Sequence, residues 1–137
     1  MQIQLTRQNS AVHFTARNDS GNTVEIDGSE AVGGTGAGYR PMELLLAAHA
    51  GCASMDVVAI LKKQRQNPED VQVSISGVRA DSTPSPFTEI RLHFTIRGTV
   101  DPSRAERAVA LSVEKYCSVG ASLDPGISIT HSVEVVS

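Results

Sequence analysis

Hydrophobic and polar residues alternate with a period of two in two segments in the second half of the chain. The segment "VQVSISGVRA" places Val71, Val73 and Ile75 on one face, and "EIRLHFTIRG" alternates apolar residues with polar and charged ones. This period is typical of a β-strand that buries one of its faces. The pattern therefore predicts two long strands, separated by the loop "DSTPSPF".

Shorter apolar runs predict further strands at both ends of the chain. Three lie near the N-terminus, over Ile3–Thr6, Ala11–Ala16 and Asn22–Gly28. The segment "RNDSGN" between the second and third is rich in turn-forming residues, so the three runs predict a meander or hairpin. The segment "ISITHSVEVV" near the C-terminus predicts a last strand.

Two segments carry the features of helices. A long apolar segment begins at Pro41, which suits a first helical turn, and continues to about Gln66. Its first half is apolar nearly all round, which predicts burial on most of its sides. A second helix is predicted from the N-cap pair Asp101-Pro102 to about Tyr116.

The predicted elements follow the order β-β-β-α-β-β-α-β, which belongs to the α+β class. The chain has 137 residues, and domains usually have roughly 100–200. We therefore expect a single domain over residues 1–137. One domain of this size can hardly surround so long an apolar helix, so the pattern also predicts a homodimer with the helix at or near the interface.

Composition and charge narrow the possible partners and location. The net charge is −3 and no basic run occurs, so no nucleic-acid partner is expected. The start "MQIQLTRQNS" lacks the apolar stretch of a signal peptide. The apolar region Leu44–Leu61 is broken by His49 and Asp56, so no membrane partner is expected. These features predict a cytoplasmic protein, in which two cysteines are more often free thiols, metal ligands or catalytic groups than structural bridges.

The glycine-rich segment "GGTGAGYRP" offers a nucleotide-binding interpretation. A phosphate-binding P-loop needs lysine after its last glycine, and Tyr39 stands there instead. Gly34 and Gly36 fit a dinucleotide loop, but Gly38 comes one place early for the third glycine. The segment is therefore interpreted as a flexible connector, and no cofactor is predicted.

Metal binding and hydrolysis are two further interpretations of the long apolar segment. His49, Cys52 and Asp56 share one face of the predicted helix and are residue types that bind zinc. The chain has no Cys-x-x-Cys motif and its histidines are scattered, so no metal site is predicted. His49 could act as a base for Cys52, but adjacent turns of one helix leave little room for an acyl substrate.

The two cysteines form the remaining candidate. Cys52 lies among small residues in "HAGCAS", and Cys117 lies at the end of the second predicted helix. A thiol at an element boundary can move to meet a sulfenic acid and form a disulfide. The alternative is that both are inert, since free cysteine is among the most buried residue types. The residues alone leave both interpretations open.

The stretches "GYRPMELLLAAHAGCASMDVVAILKK" and "KYCSVGASL", in this order and at this chain length, resemble the OsmC/Ohr family. Its members are osmotically inducible and organic-hydroperoxide-resistance proteins. The resemblance covers nearly the whole chain and includes the β-β-β-α-β-β-α-β order. The motifs "PMELLL", "DVVAILKK" and "KYCSV" look most like the YhfA-like branch of the family.

The resemblance implies an intertwined homodimer with two active sites, each built from both chains. It implies a thiol peroxidase that reduces organic hydroperoxides or hydrogen peroxide in oxidative-stress defence. Cys52 matches the peroxidatic cysteine and Cys117 the resolving cysteine. Arg17 stands about where the family has the arginine that stabilises the thiolate, with Arg40 as an alternative, and Glu43 is the candidate that orients it. A dithiol of the dihydrolipoamide type, or a thioredoxin-like protein, is the expected reductant.

Two departures from the family pattern support a rival hypothesis. The peroxidases have glutamate directly after the proline, where this chain has Met42, and Glu43 follows one residue later, so it need not point the same way. Ser118 replaces a proline that usually follows the second cysteine. The rival is an OsmC-fold dimer that binds a small ligand, with weak or no peroxidase activity. A purely structural dimer is a third possibility, which no exposed motif supports.

Overall fold

The N-terminal strands form a three-stranded antiparallel meander. The computed structural model describes residues 1–137, and the chain divides into two compact units, residues 1–45 and 46–137. In the first unit the sheet order is β1-β2-β3, with bounds Ile3–Arg7, Phe14–Asn18 and Thr23–Ile26. All three predicted strands are present, which confirms the predicted meander.

The second strand begins later than its apolar pattern predicted. Ala11 and His13 donate their backbone N–H groups to Asn9 Oδ1, at 3.0 and 3.2 Å. A side-chain oxygen that accepts two nearby N–H groups stabilises a turn in place of strand pairing. The prediction of a strand from Ala11 was therefore wrong by three residues, because the pattern does not show this local competition.

The glycine-rich segment is held in place by Asp27, which follows β3 and is 2% exposed. One carboxylate oxygen accepts the N–H of Gly28 at 2.8 Å, and the other accepts those of Thr35 at 3.0 Å and Ala37 at 3.1 Å. These N–H donors lower the pKa of Asp27 to about 2. The interpretation as a flexible connector was therefore wrong.

The glycines in this segment allow backbone segments to approach each other closely. A Cβ atom at Gly34 would lie 1.8 Å from the carbonyl oxygen of Gly28, and one at Gly38 would lie 2.3 Å from the backbone of Glu25. Any side chain at either position would displace the neighbouring backbone. Packing therefore explains these glycines without a bound phosphate.

Helix α1 (Pro41–Lys63) begins at the predicted proline and ends three residues before the predicted Gln66. Glu43 Oε1 accepts the backbone N–H of Arg40 at 2.9 Å, as in a capping box. One side of the helix is buried, through a stripe with four-residue spacing: His49, Ala53, Val57 and Leu61. Burial on most sides was expected, and within one chain it does not occur.

The opposite side of α1 is apolar and exposed. Met55 is 74% exposed and Val58 is 48% exposed. By length and composition alone the helix could cross a membrane, and an 18-residue window of it has a mean hydropathy of 1.9. A core helix of a soluble protein passes the same test.

The second unit is built on a sheet of order β4-β5-β6, with bounds Asp70–Arg79, Phe87–Arg97 and Ser128–Val136. Strand β4 is antiparallel to β5, which is parallel to β6. The period of two is confirmed, since the central strand β5 buries Ile90, Leu92, Phe94 and Ile96. The parallel pair requires a crossover, which a helix supplies.

This crossover helix, α2 (Pro102–Leu111), begins as predicted, with Asp101 accepting the backbone N–H groups of Ser103 and Arg104. It was predicted to continue to Tyr116. The structure instead has a π-helical turn over Ser112–Tyr116, and then a short helix α3 (Ser118–Ala121). The α+β class and the order of the main elements are confirmed. The single domain and the homodimer stay predictions.

Candidate active site

The two cysteines come from different elements of the second unit, and both are free thiols. Cys52 lies in the middle of α1 and is half-buried, whereas Cys117 lies between the π-helical turn and α3 and is 3% exposed. One thiol is therefore partly accessible within the chain, and the other is enclosed.

The Cys117 sulfur is held against the turn of α1 that carries Cys52. Its Sγ accepts the backbone N–H of Gly120 at 3.3 Å and points at the His49 carbonyl oxygen at 4.0 Å. It also lies near Cys52, whose thiol influences the pKa of Cys117. The structure thus brings the two cysteines together.

Burial is the main cause that raises the pKa of Cys117. The nearby Cys52 thiol raises the pKa further, whereas the N–H groups of Gly120 and Val119 act in the opposite direction. The net shift is upward, so Cys117 is a protonated thiol at neutral pH. It therefore has to lose a proton before it can act as a nucleophile.

Ser112 fixes the segment before Cys117 to α1. Its hydroxyl donates to the carbonyl oxygen of Ala53 at 2.9 Å, and both residues are 0% exposed. Ala53 directly follows Cys52, so this hydrogen bond sets the position of one cysteine segment against the other. The sequence pattern showed Ser112 only as a small residue of the predicted helix, and no motif marks its hydroxyl.

His49 is fully buried beside the two thiols, and neither ring nitrogen has a hydrogen-bond partner. A Cβ atom added to Gly120 would lie 3.1 Å from His49 Nε2 and 3.6 Å from Cys117 Sγ. The imidazole and the Cys117 sulfur therefore flank the same glycine. Burial lowers the pKa of His49, so the ring is neutral at pH 7.

The alternative metal site would use His49, Cys52 and Asp56, three residues on one helix. No group of three or more His, Cys, Asp or Glu side chains in the structure is arranged to hold a metal ion. One carboxylate oxygen of Asp56 is buried without a hydrogen-bond partner. The His49 carbonyl oxygen faces Cys117 Sγ, at 4.0 Å.

The charged residues that the resemblance assigned to the site lie in the first unit. Arg17 is exposed on β2, and its Nη1 donates to the carbonyl oxygen of Gly21 at 3.4 Å. It also lines a cavity of about 360 Å³ with apolar residues of the same sheet, and it makes no salt bridge. Glu43 caps α1 through the Arg40 N–H. The roles of Arg17 and Glu43 toward Cys52 stay predictions.

Comparison with known proteins gives a consistent set of relatives. A family model described as "OsmC-like protein" matches residues 34–132. The chain is 40% identical to Protein YhfA of Escherichia coli (strain K12) over 125 residues, which is 90% of each chain. A hypothetical protein from Aquifex aeolicus VF5 is similar in structure, with 33% identity, a TM-score of 0.86, and coverage of 99% of this chain and 96% of that one.

A more distant solved structure shares the fold. It is an organic hydroperoxide resistance protein OsmC from Legionella pneumophila, with 19% identity and a TM-score of 0.74. The match covers 98% of this chain and 97% of that chain. At this identity the likeness concerns the fold, which agrees with the predicted α+β order.

Proposed function

The chain belongs to the OsmC-like protein family, and on that premise we propose that it is a cysteine-based thiol peroxidase that reduces organic hydroperoxides or hydrogen peroxide. The observation that carries this proposal is the pair of free thiols on separate elements, with Cys117 Sγ held against the turn of α1 that carries Cys52. Family membership supports a role in peroxide resistance. The thiol pair supports the chemistry by which that role would be performed.

In the proposed reaction Cys52 acts first, because it is the more accessible thiol. Its thiolate attacks one oxygen of the peroxide and the O–O bond breaks, so that Cys52 becomes a sulfenic acid. The departing alkoxide or hydroxide takes a proton from solvent and leaves as an alcohol or water. Cys117 then attacks the Cys52 sulfur, forming a disulfide and releasing water. An external dithiol, of the dihydrolipoamide type or on a thioredoxin-like protein, reduces this disulfide again.

The proposed cation for the Cys52 thiolate is Arg17, with Arg40 as the alternative, and Glu43 is proposed to orient it. Arg17 suits this role because it makes no salt bridge and lines a cavity together with apolar side chains of its sheet. The backbone of Arg40 already binds Glu43. Separate Arg17→Met and Arg40→Met variants distinguish the two arginines, since only the functional one should slow the reaction of Cys52 with peroxide.

We also propose that the active protein is an intertwined homodimer in the cytoplasm. The exposed apolar side of α1 supports this assembly, because contiguous exposed apolar surface commonly marks an interface. The proposed occupant is a second copy of this chain, covering Met55 and Val58. A Met55→Glu variant should then be monomeric in analytical ultracentrifugation. A wild-type protein that sediments as a monomer would contradict the proposal.

The decisive experiment follows the oxidation state of both cysteines. Reduced protein is treated with one equivalent of cumene hydroperoxide and analysed by mass spectrometry after digestion. The proposal expects a fast, stoichiometric Cys52–Cys117 disulfide. Cys52→Ser should consume no peroxide, whereas Cys117→Ser should complete one turnover and then stop at the sulfenic acid. Unchanged peroxide consumption by Cys52→Ser would refute the proposal.

A second candidate function is a small-ligand-binding dimer with weak or no peroxidase activity. Met42, in the position where the family's peroxidases have glutamate, favours it. The pH dependence of Cys52 alkylation, measured in Cys117→Ser, separates the two functions. Alkylation that is already at its full rate at neutral pH indicates a thiolate and favours the peroxidase. Alkylation that rises only in alkaline solution favours the binding protein.

A further inference from the structure

We propose that His49 is the proton acceptor for Cys117 when this thiol resolves the sulfenic acid on Cys52. The inference rests on the proposed peroxidase function and adds a residue to its second step. The buried imidazole of His49 is not explained by its contribution to folding. His49 is 0% exposed, and neither of its ring nitrogens has a hydrogen-bond partner.

A buried polar group without a partner is costly, and native structures contain few of them. An apolar side chain of similar size would fill the same space at a lower cost. An imidazole at this position therefore needs an explanation other than packing. Unpartnered buried groups of this kind are a feature of functional sites.

The chemistry beside His49 provides the explanation. Cys117 is a buried thiol that must lose its proton in order to attack, and Cys52 needs a proton at its departing hydroxide. His49 Nε2 and Cys117 Sγ flank Gly120, and a Cβ atom there would contact both, at 3.1 and 3.6 Å. A neutral imidazole with a free nitrogen, on the same side of Gly120 as the thiol, is the base that the step requires.

The proton and electron balance of the step is complete. As the Cys117 Sγ–H bond breaks, the imidazole takes the proton and the sulfur attacks Cys52 Sγ. The S–S bond forms and the S–OH bond breaks. The departing hydroxide accepts the proton from the imidazolium and leaves as water. The Cys52 sulfur is reduced and the Cys117 sulfur is oxidised by the same electron pair, and the hydroperoxide of the first step is the only oxidant.

Gly120 completes the arrangement because it has no side chain between the two groups. The thiol is held toward α1 by the Gly120 N–H and the His49 carbonyl oxygen. His49 lies one turn of α1 before Cys52. It thus supplies both the carbonyl oxygen that orients Cys117 and the imidazole that accepts its proton.

The test uses His49→Leu in the full-length protein and measures the two steps separately. After mixing with cumene hydroperoxide, samples are quenched at short times, and the sulfenic acid and the disulfide are quantified by mass spectrometry. We expect sulfenic acid formation at the wild-type rate and disulfide formation slower by about 100-fold, within the range of general acid–base catalysis. The melting temperature should be unchanged or higher, because no hydrogen bond is lost.

Two further variants keep the test decisive. In His49→Ala, added imidazole should restore part of the disulfide rate, since it can occupy the vacated space. Ser54→Ala, on the next turn of α1, is the control and should resolve its sulfenic acid at the wild-type rate; its hydroxyl binds only the Ala50 carbonyl oxygen of its own helix.

The possible results distinguish the role of His49 from the peroxidase function itself. Disulfide formation at the wild-type rate in His49→Leu would overturn the role of His49 and leave the peroxidase intact. A slow rate accompanied by a lower melting temperature and no rescue by imidazole would also overturn it, in favour of a structural role. Absence of both sulfenic acid and disulfide in the wild type would overturn the peroxidase and, with it, this inference.

Discussion

Removal of the Ser112 hydroxyl is the perturbation whose effect can be worked out most directly from the structure. Ser112→Ala deletes a buried hydrogen bond to the Ala53 carbonyl oxygen, 2.9 Å long. A buried hydrogen bond contributes about 0.5–1.5 kcal/mol net, and the vacated oxygen site adds a small loss of packing. The Ala53 carbonyl keeps its intrahelical partner, so no acceptor is left without a donor. We expect a loss of about 1–2 kcal/mol.

The assay is thermal unfolding of the reduced protein at fixed concentration, because association shifts the apparent stability. A loss of this size lowers the melting temperature by about 3–8 °C for a chain of this length. The matched control is Ser54→Ala, which removes a bond to the Ala50 carbonyl oxygen within the same helix. Alanine is the better helix former, so the control should change little or be slightly stabilised.

The same variant links stability to the proposed chemistry. If the Ser112 hydrogen bond holds the Cys117 segment against α1, its loss should slow disulfide formation by up to about 5–10-fold, since 1.4 kcal/mol corresponds to a factor of ten. The formation of the sulfenic acid at Cys52 should not change. Equal melting temperatures of Ser112→Ala and wild type, together with an equal disulfide rate, would refute the claim that this hydrogen bond positions Cys117.

Three further predictions follow from buried groups of the two units. Asp27→Asn should be less stable than wild type at pH 7. The folded state holds the pKa of the Asp27 carboxylate near 2, so wild type should lose stability as the pH falls from about 4 to about 2. The variant should lack this loss in acid titrations followed by circular dichroism. His49 has a lowered pKa, so the unfolded chain binds its proton more readily; wild type should lose stability as the pH falls below about 6.5, and His49→Leu should not show this loss. Leu61→Ala, at a site with 0% exposure, should cost about 2–5 kcal/mol in urea unfolding.

The sequence predicted most of the architecture because the relevant signals are local and periodic. The strand β5 alternates buried and exposed side chains as its pattern required, and α2 begins at the predicted Asp101 cap. Ends of elements were less predictable where a side chain competes with the backbone, as Asn9 does before β2. The end of α2 also escaped prediction, since the π-helical turn leaves no mark in the apolar pattern.

The candidate site was only partly predictable, since its members are far apart in the chain. Motifs singled out Cys52 and Cys117, and the structure brings these two together. Ser112 and Gly120 carry no motif, because their contributions are a hydroxyl aimed at one carbonyl oxygen and the absence of a side chain. Such contributions exist only after α1 and the segment following α2 have packed, so no local rule could have identified them.

The surroundings of the two thiols contain several features that do not favour folding. A fully buried imidazole lacks any hydrogen-bond partner, a buried thiol is held as the protonated form, and a π-helical turn interrupts the regular helix beside it. The imidazole and the π-helical turn each have a cost, and the other buried side-chain oxygens of this unit without a partner belong to Asp56, one turn beyond Cys52, and Gln64. Destabilising features that cluster next to the only two cysteines of the chain are expected where the local structure serves a reaction more than stability. If His49→Leu is more stable than wild type and forms the disulfide more slowly, it would show directly that stability is sacrificed for the reaction at this position.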